Sequence, residues 1–244
     1  MVWLEVETKV KLEDSQVSAL REKIKKIAVF EKRGRKADDY FAIQKKGYPK
    51  KAFRIRATKD CFEVNFKKWL TKYWTPDIVV KQEFEFKLKG KDEVEDLLEL
   101  FKDLGFTEWV KKIKRNETYL YKRDKRLGIE INYVKHLGYF MEIEYLAKKS
   151  EMKKAINLIY DVLHKLEIDF NQIDNTGYTK MLWYKGTREK QKFIDRKHER
   201  NGKTYIKKIG KKGILIDDDL KGLNKKSKKV YKRVKTKKVK KRGK

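Results

Sequence analysis

A chain of 244 residues with 39% hydrophobic and 12% aromatic residues can bury a sizeable core, which excludes a stapled mini-protein. Its 66 Lys and Arg against 36 Asp and Glu leave a formal charge of +30, so its partners are expected to be anionic. A single cysteine, Cys61, allows no intrachain disulfide, and no long uncharged apolar run stands near the start, so a soluble, cytoplasmic chain with no membrane partner is expected.

The charge is unevenly placed. Residues 185–244 carry 26 of the basic and 6 of the acidic residues, net +20, whereas 1–184 carry 40 and 30. This divides the chain into a mixed-charge body (1–184), a small basic annex (185–224) with an Asn201-Gly202 pair suited to a hairpin turn, and a lysine-rich tail (225–244) expected to be disordered alone.

Val2 to Val10 alternates bulky apolar with charged residues, sending Glu5, Glu7 and Lys9 to one face and Leu4 and Val6 to the other, as a strand does. Asp14 or Ser15 can cap a helix over Gln16 to Ile27, where Val17, Leu20, Ile24 and Ile27 recur at helical spacing. Further alternating runs follow at Asp39 to Ile43, Ala52 to Thr58, Phe62 to Lys67 and Val79 to Leu88. An amphipathic helix then spans Asp92 to Leu104 and is closed by Gly105. After it come strands at Val110 to Lys114, Thr118 to Lys122, Gly128 to Val134 and Tyr139 to Leu146, a helix from about Glu151 to Leu166, and a short one near Tyr178 to Tyr184. Most links are too short for parallel crossovers, so antiparallel pairing is expected.

One charged face on one strand is ordinary solvent exposure. Here nearly every strand sets charges of both signs against large apolar residues that outer helices could cover. An α+β fold with an eight-stranded antiparallel barrel, an ionised lumen and an apolar outer wall accounts for the pattern. So many buried charges require pairing, a metal or an ionic ligand. The proposed lumenal acids are Glu5, Glu7, Glu83, Glu85, Glu130, Glu142 and Glu144; the bases are Lys9, Arg54, Arg56, Lys67, Lys81, Lys112 and Lys114. Clustered carboxylates without Cys or His suit Mg2+ or Mn2+, and His136, His164 and His198 lie in dissimilar settings. Alternating arginines suit a bidentate grip on phosphate. Metal plus many cations fits a polyphosphate chain.

The order of these motifs resembles the CYTH superfamily, the triphosphate tunnel metalloenzymes. Glu5-Val6-Glu7-Thr8-Lys9 matches its ExExK signature, Asp38-Asp39-Tyr40-Phe41 its acidic-Tyr-Phe strand, Phe53-Arg54-Ile55-Arg56 its Arg-x-Arg strand, Asn65-Phe66-Lys67 its strand ending in lysine, and Glu83-Phe84-Glu85 its ExE. Leu137 to Glu144 resembles the LG-x-F-x-E-x-E block of the class IV adenylyl cyclase branch. The resemblance covers about residues 1–184 and departs at Lys68, Lys81 and Asn132, where the family has glycine, arginine and aspartate.

The resemblance implies a metal held by Glu5, Glu7, Glu142 and Glu144, with Glu130 able to replace the carboxylate missing at Asn132. It implies a triphosphate held by Arg54, Arg56, Lys67 and Lys81, with Glu83, Glu85, Lys112 and Lys114 lining the same site, and Lys9 contacting phosphate or tuning the attacking group. Glu5, Glu7 and Lys9 then form the catalytic set. The implied activity is metal-dependent phosphoryl transfer on inorganic triphosphate, a nucleoside triphosphate or another organic triphosphate. Alternatives are cyclic AMP formation from ATP, removal of phosphate from RNA 5′ ends recruited by the basic tail, or non-catalytic polyphosphate or nucleic-acid binding. Segment 185–244 is either a solubilising extension or a nonspecific nucleic-acid contact.

Overall fold

The computed structural model describes residues 3–43, 47–49 and 51–188; the expected annex hairpin and tail lie outside them. Eight strands close into one barrel: β1 (Leu4–Leu12), β2 (Ala28–Ala42), β3 (Ala52–Ala57), β4 (Phe62–Trp69), β5 (Val79–Leu88), β6 (Thr107–Tyr121), β7 (Leu127–Val134) and β8 (Gly138–Ala147). The order around it is β1-β5-β4-β3-β2-β6-β7-β8, and every pairing is antiparallel. Two meanders, β2 to β5 and β6 to β8, meet along β2 and β6, and β1 seals the other side between β5 and β8. Closure gives each of these strands a neighbour on both sides.

The period-two pattern decides what faces inward. In β1, Glu5, Glu7 and Lys9 are buried toward the lumen, while Leu4, Val6, Val10 and Leu12 are buried on the outer wall. There they meet the apolar stripes of α1 (Gln16–Ile27; Val17, Leu20, Ile24) and α3 (Met152–Lys165; Ala155, Ile159, Val162, Leu163), which form one core with the outer faces of β7 and β8. The main hydrophobic core therefore lies outside the barrel, and most of the lumen is left for charge, with Val134, Phe140 and Tyr178 forming a separate apolar cluster. Truncating a side chain such as Ile24 to Ala would cost about 2–5 kcal/mol.

A third helix, α2 (Lys91–Asp103), covers the β3 side: Phe101 and Phe106 pack on Phe53 with ring centroids 4.3 and 5.4 Å away. Its start is fixed by Glu93, whose carboxylate accepts from the Gly90 and Lys89 amides at 3.1 and 2.8 Å. Its end turns at Gly105, whose φ of +84° favours a residue without Cβ. The last helix among the described residues, α4 (Tyr178–Arg188), continues beyond the expected limit at Tyr184.

Three local expectations are corrected. Strand β2 begins at Ala28, eleven residues before the expected start, because its charged first half is held in place by pairing with Lys114 to Tyr121 of β6 rather than by burial. Residues 107–121 form one strand, not two, for the same reason. Neither Asp14 nor Ser15 caps α1 through its side chain; the Gln16 side-chain oxygen instead accepts from the Glu13 amide at 2.9 Å.

Candidate active site

The lumen holds a cavity of about 620 Å³, and every site residue named from the sequence lines it. The basic run 111–115 is resolved: Lys112 and Lys114 enter the lumen, and Lys111 lies 3.7 Å from Asp39. Three charge groups divide the interior.

The first gathers Glu5, Glu7 and Glu144, each offering a carboxylate oxygen within 4.8 Å of the others. Pairing places Glu7 opposite Glu144 and Glu5 opposite Lys81. Lys67 donates to the two Glu5 oxygens at 3.1 and 2.8 Å and pairs with Glu83; Lys81 pairs with Glu7 and lies 3.8 Å from Glu5. Burial pushes the Glu7 carboxyl up, opposed by Lys81 and reinforced by Glu5. Burial and then Glu5 push Glu144 well above the usual carboxylate range. Burial alone would lower Lys67, but Glu5 and Glu83 outweigh it and hold the ammonium well above its ordinary value. Three carboxylates crowded this closely fit a hard divalent cation, which would remove their repulsion.

The second group surrounds Lys114, which donates to Glu130 at 2.9 Å and Glu142 at 3.1 Å. Glu130 also accepts from Thr118, Asn116 and Lys36 at 3.1, 3.2 and 3.1 Å. Burial would raise both acids, but Lys114 foremost holds each down to about 2. Asn132 donates to Glu142 at 2.7 Å, so this amide supports a neighbouring acid. Glu130 and Glu142 are thus engaged by an ammonium and do not converge with the first three acids.

The third group is arginine-rich. Arg56 grips Asp38 with Nε to Oδ1 at 2.6 Å and Nη2 to Oδ2 at 3.1 Å, and Lys112 reaches the same carboxylate at 2.9 Å. Burial would raise Asp38, but Lys112 and Arg56 hold it far below the aspartate range. Arg54 lies 3.4 Å from Glu85, while its buried Nε has no hydrogen-bond partner among the described residues. Asn65 bridges Glu83 and Glu85 at 3.3 Å each.

Lys9 stands apart. Its ammonium donates to the Thr176 carbonyl and sits 4.5 Å from the Tyr178 ring centroid, and its backbone bonds both Asn175 Oδ1 (2.9 Å) and the Asp174 amide (2.8 Å). Burial lowers its pKa against the pull of Glu142 and Glu7. The segment 174–178 thereby shuts one side of the lumen over Lys9. Tyr178 is buried among these groups, and burial, with Glu142 beside it, pushes the phenol well up.

Sequence reasoning gave no role to Asp38, Lys36, Asn65 or Tyr178. The first three continue the inward alternation of β2 and β4, a signal present in the sequence. Tyr178 opens a helix remote in sequence from every strand it faces, and no local pattern marks it.

Residues 4–178 match the family model described as the CYTH domain. No curated protein matches the chain. Among solved structures it is similar to the PH1819 protein of Pyrococcus horikoshii OT3, at 25% identity and a TM-score of 0.57, covering 74% of this chain and 99% of that one. It is also similar to an adenylate cyclase candidate from Vibrio parahaemolyticus, at 13% identity and a TM-score of 0.57, covering 75% and 99%. A third similarity is to HpAC1 from Hippeastrum, an adenylyl cyclase candidate whose dominant activity is as a triphosphatase, at 14% identity and a TM-score of 0.51, covering 78% and 96%. The last two likenesses are of fold.

Proposed function

The chain belongs to the CYTH domain family, and from that premise we propose that it is a divalent-metal-dependent enzyme hydrolysing a triphosphate inside the barrel. The observation that carries this reading is the joint placement of three converging carboxylates and the ammonium groups of Lys67 and Lys81 against them, with Arg54, Arg56, Lys112 and Lys114 lining the same cavity.

Mg2+ or Mn2+ bound by Glu5, Glu7 and Glu144 would supply positive charge to the phosphate oxygens. The chain's own residues do the rest. Lys67 and Lys81, released from Glu5 and Glu7, take up phosphate oxygens; Arg54 and Arg56 hold the far end of the triphosphate in fixed geometry. A water oxygen bonds to the terminal phosphorus as the bridging P–O bond breaks, the electron pair leaves on the diphosphate, and the water proton passes to a lumenal carboxylate or to the products. Cations fixed where charge develops lower the barrier. Lys9, held with a lowered pKa between Thr176 and Glu142, is suited to contact phosphate or to accept a proton there.

A second reading, attack of a ribose 3′-hydroxyl on the α-phosphorus of ATP with pyrophosphate leaving, rests on the Leu137 to Glu144 segment. Segment 185–244, net +20, would add nonspecific contact to nucleic acid. The test is a product assay with ATP, inorganic triphosphate and 5′-triphosphorylated RNA, each with Mg2+ or Mn2+. Orthophosphate release supports the hydrolase; cyclic AMP with pyrophosphate replaces it with the cyclase; binding of all three without product removes the enzymatic reading.

A further inference from the structure

The mouth of the lumen beside Lys81 carries two tryptophans that the charge chemistry does not require. Trp69 ends β4 on the inward face, following Asn65 and Lys67, and pairs in register with Lys81. The Lys81 ammonium lies 4.9 Å from its ring centroid. Trp74 meets it edge to face at 5.5 Å and 69°. Both line the cavity, yet they remain 43% and 39% exposed. Neither is loose: the Trp74 indole N–H donates to the Val80 carbonyl at 3.2 Å, and Trp69 is seated against the Lys81 ammonium and the Trp74 ring. Indole surface held in place but left half open, one side chain away from a phosphate-binding ammonium, suits a planar aromatic group attached to the phosphate chain.

We propose that Trp69, walled by Trp74, stacks the base of a nucleotide 5′-triphosphate, free or at an RNA end, whose phosphates lie against Lys81 and Lys67. This rests on the triphosphate reading above and names its substrate class. Stacking on an indole accepts any base, so the site selects nucleotides over inorganic triphosphate without selecting sequence.

The test compares kcat/KM for ATP, a 5′-triphosphorylated oligoribonucleotide and inorganic triphosphate with Mg2+ in the intact chain, Trp69→Ala, Trp69→Phe and Trp74→Ala. Trp69→Ala should lower the nucleotide-to-inorganic ratio about tenfold, the worth of one base stack, and Trp69→Phe should recover most of it. Loss with ATP alone identifies the free nucleotide as ligand; loss with the oligoribonucleotide alone identifies the RNA end. A ratio unchanged in Trp69→Ala, or equal losses on all three substrates, overturns the inference. Calorimetric titration of a non-hydrolysable ATP analogue separates the two claims. Trp69-dependent binding without turnover strikes only the hydrolytic reading, whereas turnover with Trp69-independent binding strikes only this one.

Discussion

Lys67 donates to both carboxylate oxygens of Glu5, at 3.1 and 2.8 Å, so the side chain proposed to hold phosphate is engaged by one proposed to hold metal. Lys81 and Glu7 are paired likewise. Within these pairs the charges neutralise each other, and either ligand alone would leave the partner charges buried and uncompensated. Metal and triphosphate should therefore bind with positive, reciprocal coupling. Mg2+ at saturating concentration should tighten a non-hydrolysable triphosphate at least about tenfold, and the triphosphate should tighten Mg2+ by the same factor. Calorimetric titration in both orders measures it; independent affinities would show that the pairs do not exchange.

The crowding of Glu5, Glu7 and Glu144 has a consequence for stability. Glu144→Gln removes one of three facing carboxylates, so the metal-free variant should melt at or above the temperature of the parent chain. The rise in melting temperature that Mg2+ gives the parent should largely vanish. Thermal unfolding with and without Mg2+ checks both; an undiminished metal effect in the variant would take Glu144 out of the metal site.

Arg56 and Asp38 form the bidentate pair of the opposite wall. On the proposed reading Arg56→Ala should raise KM and lower kcat together, because the guanidinium held by Asp38 would contact the bound and the reacting triphosphate alike. Steady-state kinetics on inorganic triphosphate decide it, and unchanged constants would mean that Arg56 serves only Asp38.

Asp38 itself is fully buried between Arg56 and Lys112. Asp38→Asn should cost about 3–5 kcal/mol near neutral pH, the usual result of leaving buried charge without its partner. Because the folded carboxyl is depressed, its stabilising contribution is present above the unfolded value of about 4 and is lost as pH falls below it. The difference between parent and variant in chemical denaturation should therefore shrink from about pH 4 downward. A constant difference across that range would contradict the ion-pair origin.

Much of the lumen is legible in the sequence because a strand forces alternate residues to opposite faces. Glu5-x-Glu7-x-Lys9, Arg54-x-Arg56 and Glu142-x-Glu144 declare one charged face, and the apolar stripes of α1 and α3 declare what covers the other. Local pattern fails where tertiary pairing supplies the order. The run from Glu31 to Lys36 has no alternation of apolar residues, and only its ladder with β6 makes it strand. Segment 174–178 reaches Lys9 across more than 160 positions, so neither Asn175 nor Tyr178 could be placed from spacing. Division of labour among the acids was also hidden: Glu130 and Glu142 share the alternation of the other acids but are claimed by Lys114.

Removing residues 190–244 separates lumen from extension, since every lumenal side chain named here precedes them. The shortened chain should hydrolyse inorganic triphosphate at nearly the parent rate while losing most of its affinity for RNA. The salt dependence of that affinity should flatten, each lost phosphate contact removing about 0.7 to 0.9 from the logarithmic slope. Loss of turnover in a folded, shortened chain would show that the extension completes the site.

The central claim is that the lumen is a metal-dependent triphosphate site rather than a self-neutralised polar core. Orthophosphate release from inorganic triphosphate, followed while Mg2+ is titrated into the parent chain and into Glu5→Gln, tests it most directly. The account predicts release that rises and saturates with Mg2+ in the parent and falls at least about a hundredfold in the variant, the scale of losing one preorganised charge from the reacting centre. Release in the parent that is absent at every Mg2+ concentration, or equal in the two proteins, would contradict it.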